Sequence, residues 1–196
     1  MSRVIFVEDT RPTLSFLSGE RKLGTSLTFS DIAFGEESGR RHIFVGVLYT
    51  FSYSMTVGGV SPSNVLATTG LDIWRAQPSG TTGNIVVTTG TSQFIAIAVW
   101  RAGNLRSGTP TATVNTSGSS PRTGSLDIDK NGIAIGVTRA TAGSVTWTAG
   151  LTEDYADSAD IFSAASTISA TAQTLGITVT DPAGGATVRI LAASYR

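Results

Sequence analysis

The sequence predicts an all-β fold, an antiparallel β-sandwich of jelly-roll or immunoglobulin-like type with an N-terminal arm, and three observations carry that prediction. Ser and Thr supply 52 of the 196 residues and Gly another 22, while charged side chains make up only 14%. Turn signals recur roughly every eight to twelve residues, the spacing of a sandwich or barrel. The stretch 93–101, Gln-Phe-Ile-Ala-Ile-Ala-Val-Trp-Arg, is apolar on both strand faces, which marks a central strand covered above and below.

In chain order, residues 3–8 and 13–17 read as two short strands split by Arg11-Pro12. The run 19–24, with Glu20, Arg21 and Lys22, reads as a charged loop, and a strand follows from Ser26. Residues 42–51 are again apolar on both faces. Gly58-Gly59 marks a hairpin-type turn after 54–57, with 65–68 as the returning strand. A strand at 71–75 is closed by Gln77-Pro78-Ser79-Gly80, and a strand at 85–88 precedes Gly90 and the central stretch. Residues 103–124 hold few apolar anchors and read as a long surface loop. Asn131-Gly132, between alternating runs at 125–129 and 133–138, is the strongest hairpin signal of the chain. A turn at Gly143 leads to a strand at 145–148 bearing Trp147. The segment 150–160 reads as an acidic loop, 161–174 as strand rather than helix, and strands at 177–179 and 187–193 flank a turn at 181–185. No fixed-period repeat stands out. Residues 1–24 are thus expected as a charged arm and 25–196 as the sandwich domain.

Three of these strands set large residues against small ones. Ile95, Ile97 and Val99 back onto Ala96 and Ala98, Ile133, Ile135 and Val137 onto Ala134 and Gly136, and Val45 and Val47 onto Gly46. The pattern predicts that all three lie in one sheet, branched residues toward the core and the small face under a bulky cover such as Trp74, Trp147 or the arm.

Net charge is zero, so no field gathers nucleic acid or an anionic membrane. Twelve of the 28 charged residues, six of each sign, fall within residues 1–41, leaving a nearly uncharged body. Such a body suits a subunit held by neighbours of its own kind, a homo-oligomer. Cysteine is absent, and the apolar run at the start is too short for a signal peptide, so synthesis in a cytoplasm without a leader is expected.

Candidate chemistry is sparse. His42 is the single histidine, and no nucleophile motif accompanies it, so no catalytic site and no transition-metal site is expected. Asp127-x-Asp129-x-Asn131-Gly132 copies the opening of an EF-hand loop, but Thr138 stands where its bidentate Glu belongs. Glu153, Asp154, Asp157 and Asp160 form an acidic run that a hard cation could bridge, with a solvated loop the simpler reading. Trp74, Trp100 and Trp147 could stack on sugars, but their apolar neighbours favour core packing. No cofactor is expected.

The succession Asp31-Ile32-Ala33-Phe34-Gly35, 43–47, Val57-Gly58-Gly59-Val60, Ile73-Trp74-Arg75-Ala76, Gly80-Thr81-Thr82-Gly83 with Ile85-Val86-Val87, and 97–100 resembles small β-sandwich proteins of tailed phages and prophages. The likeness continues through Trp147-Thr148 and Leu151-Thr152-Glu153 to 192–194, covering residues 26–196. It implies a virion structural component without enzymatic activity, a capsid decoration protein on the head or a tail-associated one. It carries over no site residues. On this expectation the arm anchors the subunit to the major capsid protein or to tail subunits, through Arg3, Glu8, Asp9, Arg11, Arg21 and Lys22. The alternative is a carbohydrate-binding, lectin-like module that attaches to a glycan.

Overall fold

The computed structural model describes residues 11–157 and 161–196. It is all-β, with fourteen strands among the described residues and every pairing antiparallel. The first half contains β1 (Thr13–Ile32), β2 (His42–Leu48), β3 (Tyr53–Val57), β4 (Ser63–Thr68), β5 (Leu71–Ala76) and β6 (Gly83–Gly103). The second contains β7 (Ala112–Ser119), β8 (Arg122–Ile128), β9 (Ile133–Ala140), β10 (Thr146–Ala149), β11 (Thr152–Asp157), β12 (Phe162–Ile168), β13 (Gln173–Thr180) and β14 (Thr187–Tyr195).

The two halves repeat one topology. β1 and β6 are long strands that break register together: Gly24 pairs with Gln93 and Ser26 with Thr88, so Thr25 stands opposite four residues, 89–92. A bulge of this size bends both strands. Counting each of them as two, the first half has eight strands, of which the first, eighth, third, sixth and fifth form one layer (β1-β6-β2-β5-β4). The second, seventh and fourth form the other, where β3 pairs with residues 85–89 of β6. In the second half the sheets β7-β14-β9-β12-β11 and β8-β13-β10 have the same order, position for position. Loops at residues 120–121 and 181–186 there replace the bends of β1 and β6.

Three apolar clusters fill the gaps between the four layers. Within the first half, Ile43, Val45, Val47, Ile95, Ile97 and Val99 pack under Leu27, Phe29, Met55, Val57, Ile85 and Val87. Within the second, Ala134, Ala165 and Ala192 pack under Leu126, Ile128, Trp147, Ile177 and Val179. Between the halves, Phe44, Ala96, Ala98 and Trp100 meet Ile133, Ile135, Val137, Leu191 and Tyr195. Burying each large aliphatic side chain contributes roughly 1.5–3 kcal/mol, so the middle cluster binds the halves into one body. Across this interface β2 faces β9, β1 faces β11 and β4 faces β14.

Several expectations need correction. The large-and-small pattern does not place three strands in one sheet: β2 and β6 are neighbours, but β9 lies in the facing sheet. The branched face of β9 instead covers the small face of β2 and β6, while Trp147 covers Gly136, as expected of a bulky partner. The run 19–24 is strand rather than loop, paired with 93–98 of β6, so residues 13–24 are woven into the sheet. The expected strand 85–88, Gly90 and the central stretch all lie within the one strand β6. Gly58 and Gly59 do turn the chain, with φ of 55° and 81°, but β3 pairs with β6 and the returning β4 with β5. The loop expected over 103–124 contains β7 and the start of β8. Asn131-Gly132 joins strands of different sheets, because Asn131 alone takes a positive φ, 59°, and a two-residue type I′ hairpin needs two. The acidic loop is β11 in its described part.

Candidate functional site

The residues singled out in the N-terminal segment separate in the structure. Arg3, Glu8 and Asp9 lie outside the described residues. Arg11 is exposed where the chain enters β1. Arg21 reaches across the two halves, its Nε 3.6 Å from Asp157 Oδ2 and its guanidinium 3.6 Å from the centroid of Phe94. Lys22 donates to the Thr28 carbonyl at 2.6 Å and pairs with Glu20 at 3.1 Å. Arg21 and Lys22 therefore make contacts inside the chain.

The acids of the second half do not converge. Glu153 Oε2 accepts from Ser163 Oγ at 2.7 Å, whereas Asp154 Oδ2 accepts from the indole of the fully buried Trp100 at 2.8 Å. Neighbouring strand positions point to opposite faces, and each of these carboxylates serves a different layer. Asp160 lies outside the described residues, and among those described no group of three or more acids or imidazoles could hold a metal ion. At the EF-hand-like stretch, Asp127 Oδ1 accepts from Thr174 Oγ1 at 2.6 Å, and Thr138 is buried with its hydroxyl given to the Arg189 carbonyl.

A polar cluster of the first half was missed by the sequence reading. Tyr49 follows β2, Tyr53 opens β3, and Asp72 and Trp74 share one face of β5. Asp72, 4% exposed, accepts from Tyr53 OH at 2.8 Å and from Tyr49 OH at 3.4 Å. Trp74 Nε1 donates to Tyr53 OH at 2.5 Å. The rings of Tyr49 and Tyr53 stand 4.9 Å apart and those of Tyr53 and Trp74 6.2 Å apart, edge to face. Burial raises the Asp72 carboxyl above its ordinary value, opposed by the hydrogen bonds it accepts. Burial first, then the Asp72 charge, pushes the Tyr53 and Tyr49 phenols upward as well. The three rings are partly buried, with their polar atoms bonded within the cluster. Such a surface offers stacking, but its carboxylate is committed to its own phenols. The one foreshadowing in the sequence was Asp72 inside the apolar run 71–76, since a buried acid needs donors close by.

The second half has a counterpart. Trp147, on the equivalent strand to Tyr53, donates through Nε1 to Ser163 Oγ at 2.9 Å, and Ser163 in turn donates to Glu153. In both halves an aromatic residue of the fourth strand bonds across the sandwich to a polar residue of the sixth.

At the far end of the interface His42 and Tyr195 are buried, and neither the His42 Nδ1 nor the Tyr195 hydroxyl has a hydrogen-bond partner among the described residues. Arg75 stands beside both. Burial, and then the Arg75 charge, lowers the His42 imidazole to about 4, so it is neutral at pH 7. No family model matches the chain, and no curated protein or solved structure does.

Proposed function

We propose that this chain is a structural component of a tailed-phage virion, most simply a capsid decoration protein on the head, acting by holding neighbouring subunits without catalysis. The observation that carries this reading is the strand order. Sheets ordered 1-8-3-6-5 and 2-7-4 resemble the path of a jelly roll, a fold used in viral capsids and in lectins, except that the fifth strand joins the first sheet and not the second, and the chain runs this order twice, back to back. The sparsely charged surface beyond residue 41 and the phage-like succession of turns support the same reading. Its partners are then the major capsid protein or tail subunits. The test is mass spectrometry of purified particles from the phage or prophage that encodes the chain. Copies in stoichiometric proportion to capsid or tail proteins support the reading, and absence from washed particles sinks it.

A second reading, a glycan-binding module, is favoured by one observation, the grouping of the partly buried rings of Tyr49, Tyr53 and Trp74. It requires retention on a glycan array that Trp74→Ala abolishes.

A further inference from the structure

We infer that the chain self-associates as a two-fold dimer through the free edge of β7, which pairs antiparallel with β7 of a second copy. The inference stands on that edge and not on the virion reading. Four strands end the two five-stranded layers, and three of them carry the devices by which edges resist pairing. β1 bears Glu20, Arg21 and Lys22 and bends at Gly24. β11 bears Glu153, Asp154 and Asp157. β4 has a bulge between Asn64 and Leu66, and its last three carbonyls are occupied: Leu66 by Asn64 Nδ2 at 3.5 Å, Ala67 by Asn115 Nδ2 at 3.3 Å and Thr68 by Tyr49 OH at 3.2 Å.

β7 has none of these. It runs Ala-Thr-Val-Asn-Thr-Ser-Gly-Ser without charge, proline or bulge, in unbroken register with β14 from Ser119↔Thr187 to Ala112↔Ser194. Among the described residues no side chain bonds to its backbone, and no strand other than β14 pairs with it. Alternate residues of this eight-residue edge turn their N–H and C=O groups away from β14, and such a row is a template for another strand. The occupant follows from the side chains. A foreign peptide captured at an edge is recognised through pockets for its alternate residues, and Thr113, Asn115, Ser117 and Ser119 are exposed and form none. An antiparallel pair about a two-fold axis is self-complementary, and on the exposed face it sets uncharged Thr and Ser against their own kind, while on the other face Arg122 is held by its own chain, Nε donating to Thr116 Oγ1 at 2.7 Å. The result is one ten-stranded layer shared by two chains.

Sedimentation of the full chain tests this. Pairing through a single strand implies a Kd of micromolar order, so wild type is expected at twice the chain mass near 100 µM, about a hundredfold above that Kd. The double variant T113K/S117K is expected to return to one chain mass, and S63K on β4 to stay dimeric. Hydrogen exchange on wild type gives a second readout that needs no variant: amides of 112–119 exchange more slowly at about 100 µM than at about 1 µM. Wild type at one chain mass throughout, a T113K/S117K dimer, an S63K monomer, or exchange in β7 that ignores concentration would each overturn the inference.

Discussion

Gly46 and Val137 meet where the two halves cross: a Cβ built on Gly46 stands 2.3 Å from Val137 Cγ1, and 3.4 Å from the six-membered ring of Trp100. β2 and β9 are the third strands of their halves, and this contact lies where the five-stranded layers approach each other. Any side chain at 46 must push the layers apart. Gly46→Ala is expected to cost about 1–3 kcal/mol by overpacking. Val137→Ala in the same chain should recover part of that loss, and a double-mutant cycle from denaturant unfolding measures the coupling. Additive effects would mean that the approach is set elsewhere.

Trp100 and Asp154 form the polar tie across the same interface, 2.8 Å apart. Asp154→Ala leaves a buried indole N–H without its acceptor, and a loss of about 1–3 kcal/mol is expected. Asp154→Asn keeps an acceptor and should lose less. Equal losses in the two variants, read by thermal unfolding, would show that the bond contributes nothing specific.

His42 gives the fold an acid limit. Its imidazole is lowered from 6.5 to about 4, so between those values the unfolded chain binds a proton that the folded chain refuses. Stability therefore falls as pH drops from 6.5 toward 4, and this group contributes no slope above about pH 7. After allowance for solvent screening the loss is about 2 kcal/mol. Asp72 acts in the opposite sense: its raised carboxyl binds a proton more readily folded than unfolded, so its burial costs stability as pH rises above the ordinary 3.8. His42→Gln is expected to flatten the decline between pH 6.5 and 4 in a series of melting curves. An unchanged slope would place the acid sensitivity in another group.

Tyr53→Phe removes one hydroxyl that serves two partners, the Asp72 carboxylate and the Trp74 indole. A cost of about 1–3 kcal/mol is expected, with the Asp72 carboxyl pushed further up because a stabilising donor is gone. Trp74 fluorescence should shift to the red as its ring loosens. A variant as stable as wild type would show that Tyr49 alone suffices to hold the acid.

Local chemistry was enough to read the strand content. The apolar alternation at 42–48, 93–101 and 133–138 and the turn glycines at 58–59 follow from steric preferences a few residues long, and the structure keeps them. The strands that escaped reading are edges. β7 has a single buried side chain, Val114, so it presents no apolar stripe, and residues 19–24 carry charge because an edge beside another half can pair it. The repeat escaped for a related reason. Ile43, Val45 and Val47 face the core of their own half, while the matching triplet Ile133, Ile135 and Val137 faces the other half, so the patterns agree in letters but are one residue out of phase in space. The Tyr49, Tyr53, Asp72 and Trp74 cluster spans 26 positions and three elements, and only the sheet order brings it together. A strand's sequence determines which faces it must bury; which strand lies beside or above it depends on contacts between residues far apart in the chain, such as Gly46 with Val137, which no short stretch contains.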